Sequence, residues 1–268
     1  MGLGEPVCAQ TGQIDPVQID RPQTVTWRRL FRNVCQDQKG IWLSPFRAHR
    51  QDAKWWVLFG SATGALIATD TWTSKQLPNT RDQIRVSGIV SRPGAAYSLI
   101  PGVVTFWAAG AIRHDDRLRE TGLLGAEALA NAVVVSTVFK AATERQRPLE
   151  GEGSGRFWTR TGRFWNTGAS FPSGHSTQIW AVASVVAHQY PRPRIIPVVA
   201  YSVATAVMAS RFTGRKHFAS DVVAGAAIGW FIGNYVFHKR HRRPLDSRPS
   251  RSGEVLSGVG LGRQASGY

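Results

Sequence analysis

Six apolar segments, each bounded by polar or Pro/Gly-rich connections, confine this chain to a helical fold. They cover 55–69, 95–112, 122–139, 176–190, 195–210 and 222–237. Each is longer than an ordinary strand, and the β-branched run Val133-Val134-Val135 sits inside one of them. The fold class expected is therefore all-α, a bundle of six helices. A chain of 268 residues that is 43% hydrophobic has bulk for one core. The organisation expected is a polar N-terminal region over 1–54, a helical domain over 55–238, and a basic tail over 239–268. From residue 248 the tail is Gly/Ser-rich and is expected to be disordered.

Whether these helices cross a bilayer is a closer matter. A spanning helix needs roughly 20 apolar residues, and several segments are shorter. Asp70 closes the first segment, Glu127 and Asn131 interrupt the third, and the mean hydropathy is slightly negative. Small residues such as Ala181, Ala183, Ser184, Gly225, Ala226, Ala227 and Gly229 suit close helix contact in lipid. With both termini inside, inner segments carry 20 Lys and Arg and outer segments 13, the bias expected of a membrane protein. The balance favours an integral membrane protein of the bacterial inner-membrane kind, with its site facing outward. The alternative is a soluble periplasmic enzyme. Residues 1–12 lack a secretory core, yet Val7-Cys8-Ala9-Gln10 resembles the end of a signal, which leaves export open. Cys8 and Cys35 form no metal or redox motif and either pair in an oxidising compartment or stay free.

Chemistry concentrates in three stretches. In 140–148 (KAATERQRP), Lys140 and Arg147 are two helical turns apart and would share a face of one helix, until Pro148 ends it. A plainer reading is a helix end whose cations complement its dipole. In 172–175 (PSGH), a turn leads into a helix start whose amides are free for an anion. Gly174 allows close backbone approach and Ser173 adds a hydroxyl; an ordinary Ser-Gly turn explains both equally well. In 210–221 (SRFTGRKHFASD), His217 and Asp221 are four residues apart, so a carboxylate can orient an imidazole. Arg211, Arg215 and Lys216 crowd the same segment, a costly arrangement unless an anion binds there. No metal-ligand cluster accompanies these residues.

Taken together, the spacings Lys140-x6-Arg147-Pro148, Pro172-Ser173-Gly174-His175 and Ser210-Arg211-x5-His217-x3-Asp221 resemble the three-part signature of the type 2 phosphatidic acid phosphatase and vanadium haloperoxidase superfamily. The intervening 23 and 34 residues also fit that family, and the resemblance covers roughly residues 55–238. It implies a membrane-embedded helical domain with a catalytic role. His217 would be the nucleophile, Asp221 would orient it, and His175 would be the general acid. Lys140, Arg147 and Arg211, with the Ser173 hydroxyl and the Gly174 amide, would bind the phosphate oxygens. The reaction implied is metal-independent and cofactor-free hydrolysis of a phosphomonoester or pyrophosphate of a lipid, through a phosphohistidine. Phosphatidic acid, phosphatidylglycerophosphate and polyprenyl diphosphates are the substrates it implies.

Three rivals stay open. A vanadate-dependent haloperoxidase would use the same cations and histidine, with vanadate as its cofactor. A soluble non-specific acid phosphatase would share the motifs. The charge of +16 and the run His238-Lys239-Arg240-His241-Arg242-Arg243 could hold nucleic acid, but no reading module accompanies them. A basic run beside a membrane more naturally meets anionic lipid headgroups. The Arg–aromatic loop with Arg156, Phe157, Trp158, Arg160, Arg163, Phe164 and Trp165 could cover the pocket, rest at a membrane interface, or be pinned by buried rings.

Overall fold

The computed structural model describes residues 27–44, 46, 50–150, 152–159 and 168–241, and among these every regular element is helical. The order is α1 Trp27–Leu43, α2 Arg50–Gln76, α3 Arg81–Ser91, α4 Ala96–Arg113, α5 Asp116–Thr143, α6 Gly174–Gln189, α7 Ile195–Thr213 and α8 Ala219–His241. A short 3₁₀ turn, Arg92–Gly94, joins α3 to α4, with Pro93 setting the bend. Asp115 caps α5 by accepting from the Leu118 amide, and Glu144 ends it in the left-handed region.

The six expected segments correspond to α2 and α4–α8. Asp70 does not end α2, which continues to Gln76. Its carboxylate is buried against the Arg145 guanidinium at 2.7 Å, so the helix need not stop to reach solvent. Glu127 and Asn131 likewise leave α5 unbroken. Asn33 and Arg240 donate to Glu127, and Gln38 donates to the Asn131 side chain, which itself donates to Asp37. Two helices were not expected, α1 inside the polar N-terminal region and α3 inside the connection after α2. Many side chains of α1 are charged or amidic, and those facing α5 and α8 are what dock it.

The basic run is partly folded inward rather than directed to headgroups. Lys239 and Arg240 pair with Asp37 at 2.6 and 3.1 Å, and Arg240 also reaches Glu127. Arg242, Arg243 and the expected disordered tail lie outside the described residues, as do Cys8, Arg160, Arg163, Phe164 and Trp165.

Helices α6 and α8 start at the same end of the molecule and pack side by side. Gly225, Gly229 and Gly233 form a stripe on α8 against the Ser173, Thr177 and Ala181 carbonyls of α6. A Cβ at these glycines would lie 2.8, 2.2 and 2.3 Å from those oxygens, so only hydrogen permits the approach. Around this pair, Leu124, Ala128, Ala132 and Val135 of α5 join Ala181, Val185, Ile232 and Val236 in one core cluster. Among the described residues, three helical stretches are long and apolar enough to cross a membrane: Arg81–Arg113, Asp116–Thr143 and Ile195–Thr213. Their outer flanks expose Ile100, Val104, Trp107, Val198 and Val199, the pattern of a surface that meets lipid.

Candidate active site

The C-terminal ends of α5 and α7 and the N-terminal ends of α6 and α8 meet at one end of the bundle. This convergence brings the three sequence stretches together. Lys140 sits in the last turn of α5. Arg147 lies beyond Glu144 in the following loop, so the two cations do not share a helix as their spacing predicts. They still face one place: Lys140 Nζ donates to the Ala169 carbonyl at 2.7 Å and Arg147 Nε to the Gly168 carbonyl at 2.6 Å. Arg211, in the last turn of α7, donates to Ser91 Oγ at 3.3 Å. Its Nε is buried without a hydrogen-bond partner among the described residues.

Ser173 is the N-cap residue of α6, but its side chain does not cap the helix. The first-turn amides are thereby left to another acceptor. The Ser173 amide donates to the Asp221 carbonyl at 2.9 Å, which ties this turn to the start of α8. At Gly174 a Cβ would meet only Gln178 Nε2 at 3.8 Å and Lys140 Cε at 3.9 Å. The protein itself therefore does not demand glycine there, and the space lies open beside Lys140.

His217 is buried just before α8, and Asp221 lies in that helix's first turn. The imidazole Nδ1 donates to the Ser170 carbonyl at 2.8 Å, whereas Asp221 Oδ2 is 3.8 Å away. A backbone carbonyl, rather than the carboxylate, fixes the tautomer and leaves Nε2 unprotonated. Asp221 is engaged on every side. Oδ1 accepts from Arg145 at 2.7 Å, and Oδ2 accepts from the Ser170 hydroxyl and from the Phe218 amide at 2.8 Å. Burial alone would raise its pKa. The His217 imidazole, the Arg145 guanidinium and the Ser170 hydroxyl outweigh that and hold the carboxyl below its usual range.

Burial pushes His217 down to about 4, opposed by Asp221 and reinforced by Lys140 and Arg211. Burial also pushes His175 down to about 3, with Arg211, His217, Lys140 and Arg147 adding to the effect. Both imidazoles are neutral near pH 7. The same neighbours place Lys140, Arg147, Arg211, His175 and His217 within electrostatic reach of one another.

Four residues of the site escaped the sequence reading: Arg145, Asp70, Ser170 and Ser220. Arg145 spans Asp70 and Asp221 at 2.7 Å each, donates to Ser220 Oγ, and lies between the Phe157 and Phe218 rings. Phe157, half-buried against that guanidinium, thus pins its loop, while Trp158 is exposed. One signal was present: an acid at position 70 inside an apolar helix requires a cation elsewhere.

Residues 121–244 match the model of the PAP2 superfamily. This segment, a little under half of the chain, is thus similar to PAP2-superfamily domains. The PAP2 fold extends further: the structure is similar to a crystal structure of a transmembrane PAP2 type phosphatidylglycerolphosphate phosphatase from Bacillus subtilis. That match has a TM-score of 0.56 and 21% identity, over 74% of this chain and 100% of that one. A lipid A 1-phosphatase of Porphyromonas gingivalis is 38% identical over 65 residues, which is 24% of this chain and 15% of that protein.

Proposed function

We propose that this chain is an integral membrane phosphatase that hydrolyses a phosphomonoester or pyrophosphate of a lipid through a phosphohistidine on His217. The observation that carries this reading is the convergence of a neutral imidazole, three cations and an uncapped helix start on one open volume. In the first step the Nε2 lone pair forms a bond to phosphorus while the bond to the leaving oxygen breaks. Lys140, Arg147, Arg211, the Ser173 hydroxyl and the Gly174 amide hold the non-bridging oxygens, which is the electrostatic work phosphoryl transfer needs. His175 supplies the leaving oxygen with its proton. It is neutral in the empty site; the bound phosphate offsets the surrounding cations and restores its affinity for a proton. In the second step water attacks phosphorus as His175 takes its proton, and phosphate leaves with His217 regenerated.

The three apolar stretches and the named activities of the two similar proteins support a lipid substrate. We place the site on the outer face. Purified protein in detergent, assayed for phosphate release from phosphatidic acid, phosphatidylglycerophosphate and a polyprenyl diphosphate, tests the reading. Turnover of at least one lipid far above a water-soluble phosphomonoester is expected; no release from any of them contradicts it.

A further inference from the structure

Asp70 belongs to α2, which contributes none of the phosphate-binding groups, yet it is as deeply buried as Asp221. Its Oδ1 accepts from the Ser220 amide at 3.0 Å. Its Oδ2 accepts from Arg145 Nη2 at 2.7 Å and from the Ser220 hydroxyl. Arg145 completes the connection to Asp221 through Nη1. It also acts through its backbone: the Arg145 carbonyl accepts from the Ser170 amide at 2.7 Å, and the Ser170 carbonyl holds His217 Nδ1. Gly155, at φ +62°, accepts from Arg145 Nε at 3.2 Å, and a Cβ there would strike the Phe218 ring at 2.8 Å. The guanidinium is therefore held on every edge and has no freedom to turn toward a ligand.

We infer that Asp70 and Arg145 are positioning residues that hold Asp221 in register and set a net charge of minus one beneath His217. Two carboxylates and one guanidinium give that balance. This assignment rests on His217 being the group that attacks phosphorus. When Nε2 takes the phosphoryl group the imidazole becomes cationic, and a net negative charge beneath it stabilises that state. Asp221 with Arg145 alone would form a neutral pair and provide little such support. The other charged or titratable groups facing His217 are Lys140 on α5, Arg211 on α7, His175 on α6 and Arg147 in the loop after α5. The first three add positive charge when protonated, and so does Arg147, which makes the negative balance below more consequential.

Charge balance gives the pair a test that a purely structural role does not share. Asp70→Asn makes the cluster neutral, and Arg145→Met makes it more negative. Asp70→Asn with Arg145→Met together restores minus one. The readouts are kcat and KM for dioctanoyl phosphatidic acid in detergent, together with the His217 imidazole titration followed by NMR of histidine-labelled protein. We expect Asp70→Asn to lower kcat about tenfold with KM within about twofold, since the substrate is bound elsewhere. Arg145→Met should raise the His217 pKa by about one unit, a tenfold gain in proton affinity. The double variant should return the titration to within a few tenths of a unit of wild type and recover much of the kcat lost in Asp70→Asn. Vanadate binding, as a phosphate mimic, reports on integrity of the pocket. Equal losses in all three variants with an unmoved His217 titration overturn the inference, as does unfolding of the double variant. If the wild-type protein releases no phosphate, the functional reading fails, while the titration still decides the charge assignment.

Discussion

Burial holds His217 neutral, and if it is the group that attacks phosphorus, as proposed above, this has a consequence in pH. On the proposed mechanism the free enzyme should lose competence on the acid side as His217 protonates, near pH 4. At the other limb, His175 is neutral in the empty site, so the proton for the leaving group arrives with a phosphate monoanion or is taken up as the substrate binds. kcat/KM is therefore expected to be level between about pH 4 and about pH 6, the second ionisation of a phosphomonoester, and to fall above it. A pH–rate profile checks this; an optimum near pH 9 contradicts it. His175→Ala should lose about 10²–10⁴ in kcat with an alkyl phosphate and much less with an aryl phosphate, whose leaving group needs no acid. Steady-state kinetics on the two ester classes reads the difference. The eight residues singled out from sequence lie where α5 and α7 end and α6 and α8 begin, the placement expected of groups that share a ligand. Ser170, Arg145 and Asp70 escaped because their roles depend on contacts with partners 47 to 150 positions away. No local pattern marks such pairs.

At the scale of elements, the parallel contact between α6 and α8 is what brings His175 and His217 to the same end of the bundle. The Gly225-Gly229-Gly233 stripe makes that contact possible. Gly229→Val would drive a side chain into the Thr177 carbonyl, and overpacking of this kind costs about 1–3 kcal/mol. A lower thermal midpoint with reduced activity is expected. Gly174→Ala offers the contrast: it meets only ordinary contacts, so the midpoint should hold while vanadate binding weakens. Thermal unfolding and vanadate titration of both variants separate the two outcomes. Segments α4 to α8 were legible as helices because each is a long apolar run. α1 was not, since its polar side chains are met by Asn131, Glu127, Lys239 and Arg240, partners that composition cannot supply. α3 was hidden for a related reason. It is short and polar, and Gln83 and Ser87 anchor it to Thr213 at the end of α7.

At the scale of the molecule, the proposed catalytic groups gather at one end of a bundle whose lateral faces are apolar, an arrangement that suits a reactive headgroup at an interface and a tail in lipid. Three stretches among the described residues are long and apolar enough to span a membrane, and the protein is expected to stay in the membrane pellet through carbonate extraction. Release into the wash would favour the soluble alternative. On the proposed mechanism the cations and the two histidines act as a unit, so removal of either imidazole should remove nearly all turnover of a lipid phosphate, whose alkoxide leaving group needs the acid. The most direct measurement is rapid alkaline quench of the enzyme during turnover of phosphatidic acid, followed by mass spectrometry of the peptide containing His217. A phosphoryl group on His217, present in wild type and absent in His217→Ala, is the result expected. Steady turnover by His217→Ala, or a phosphoryl group on His175 in its place, would contradict the account.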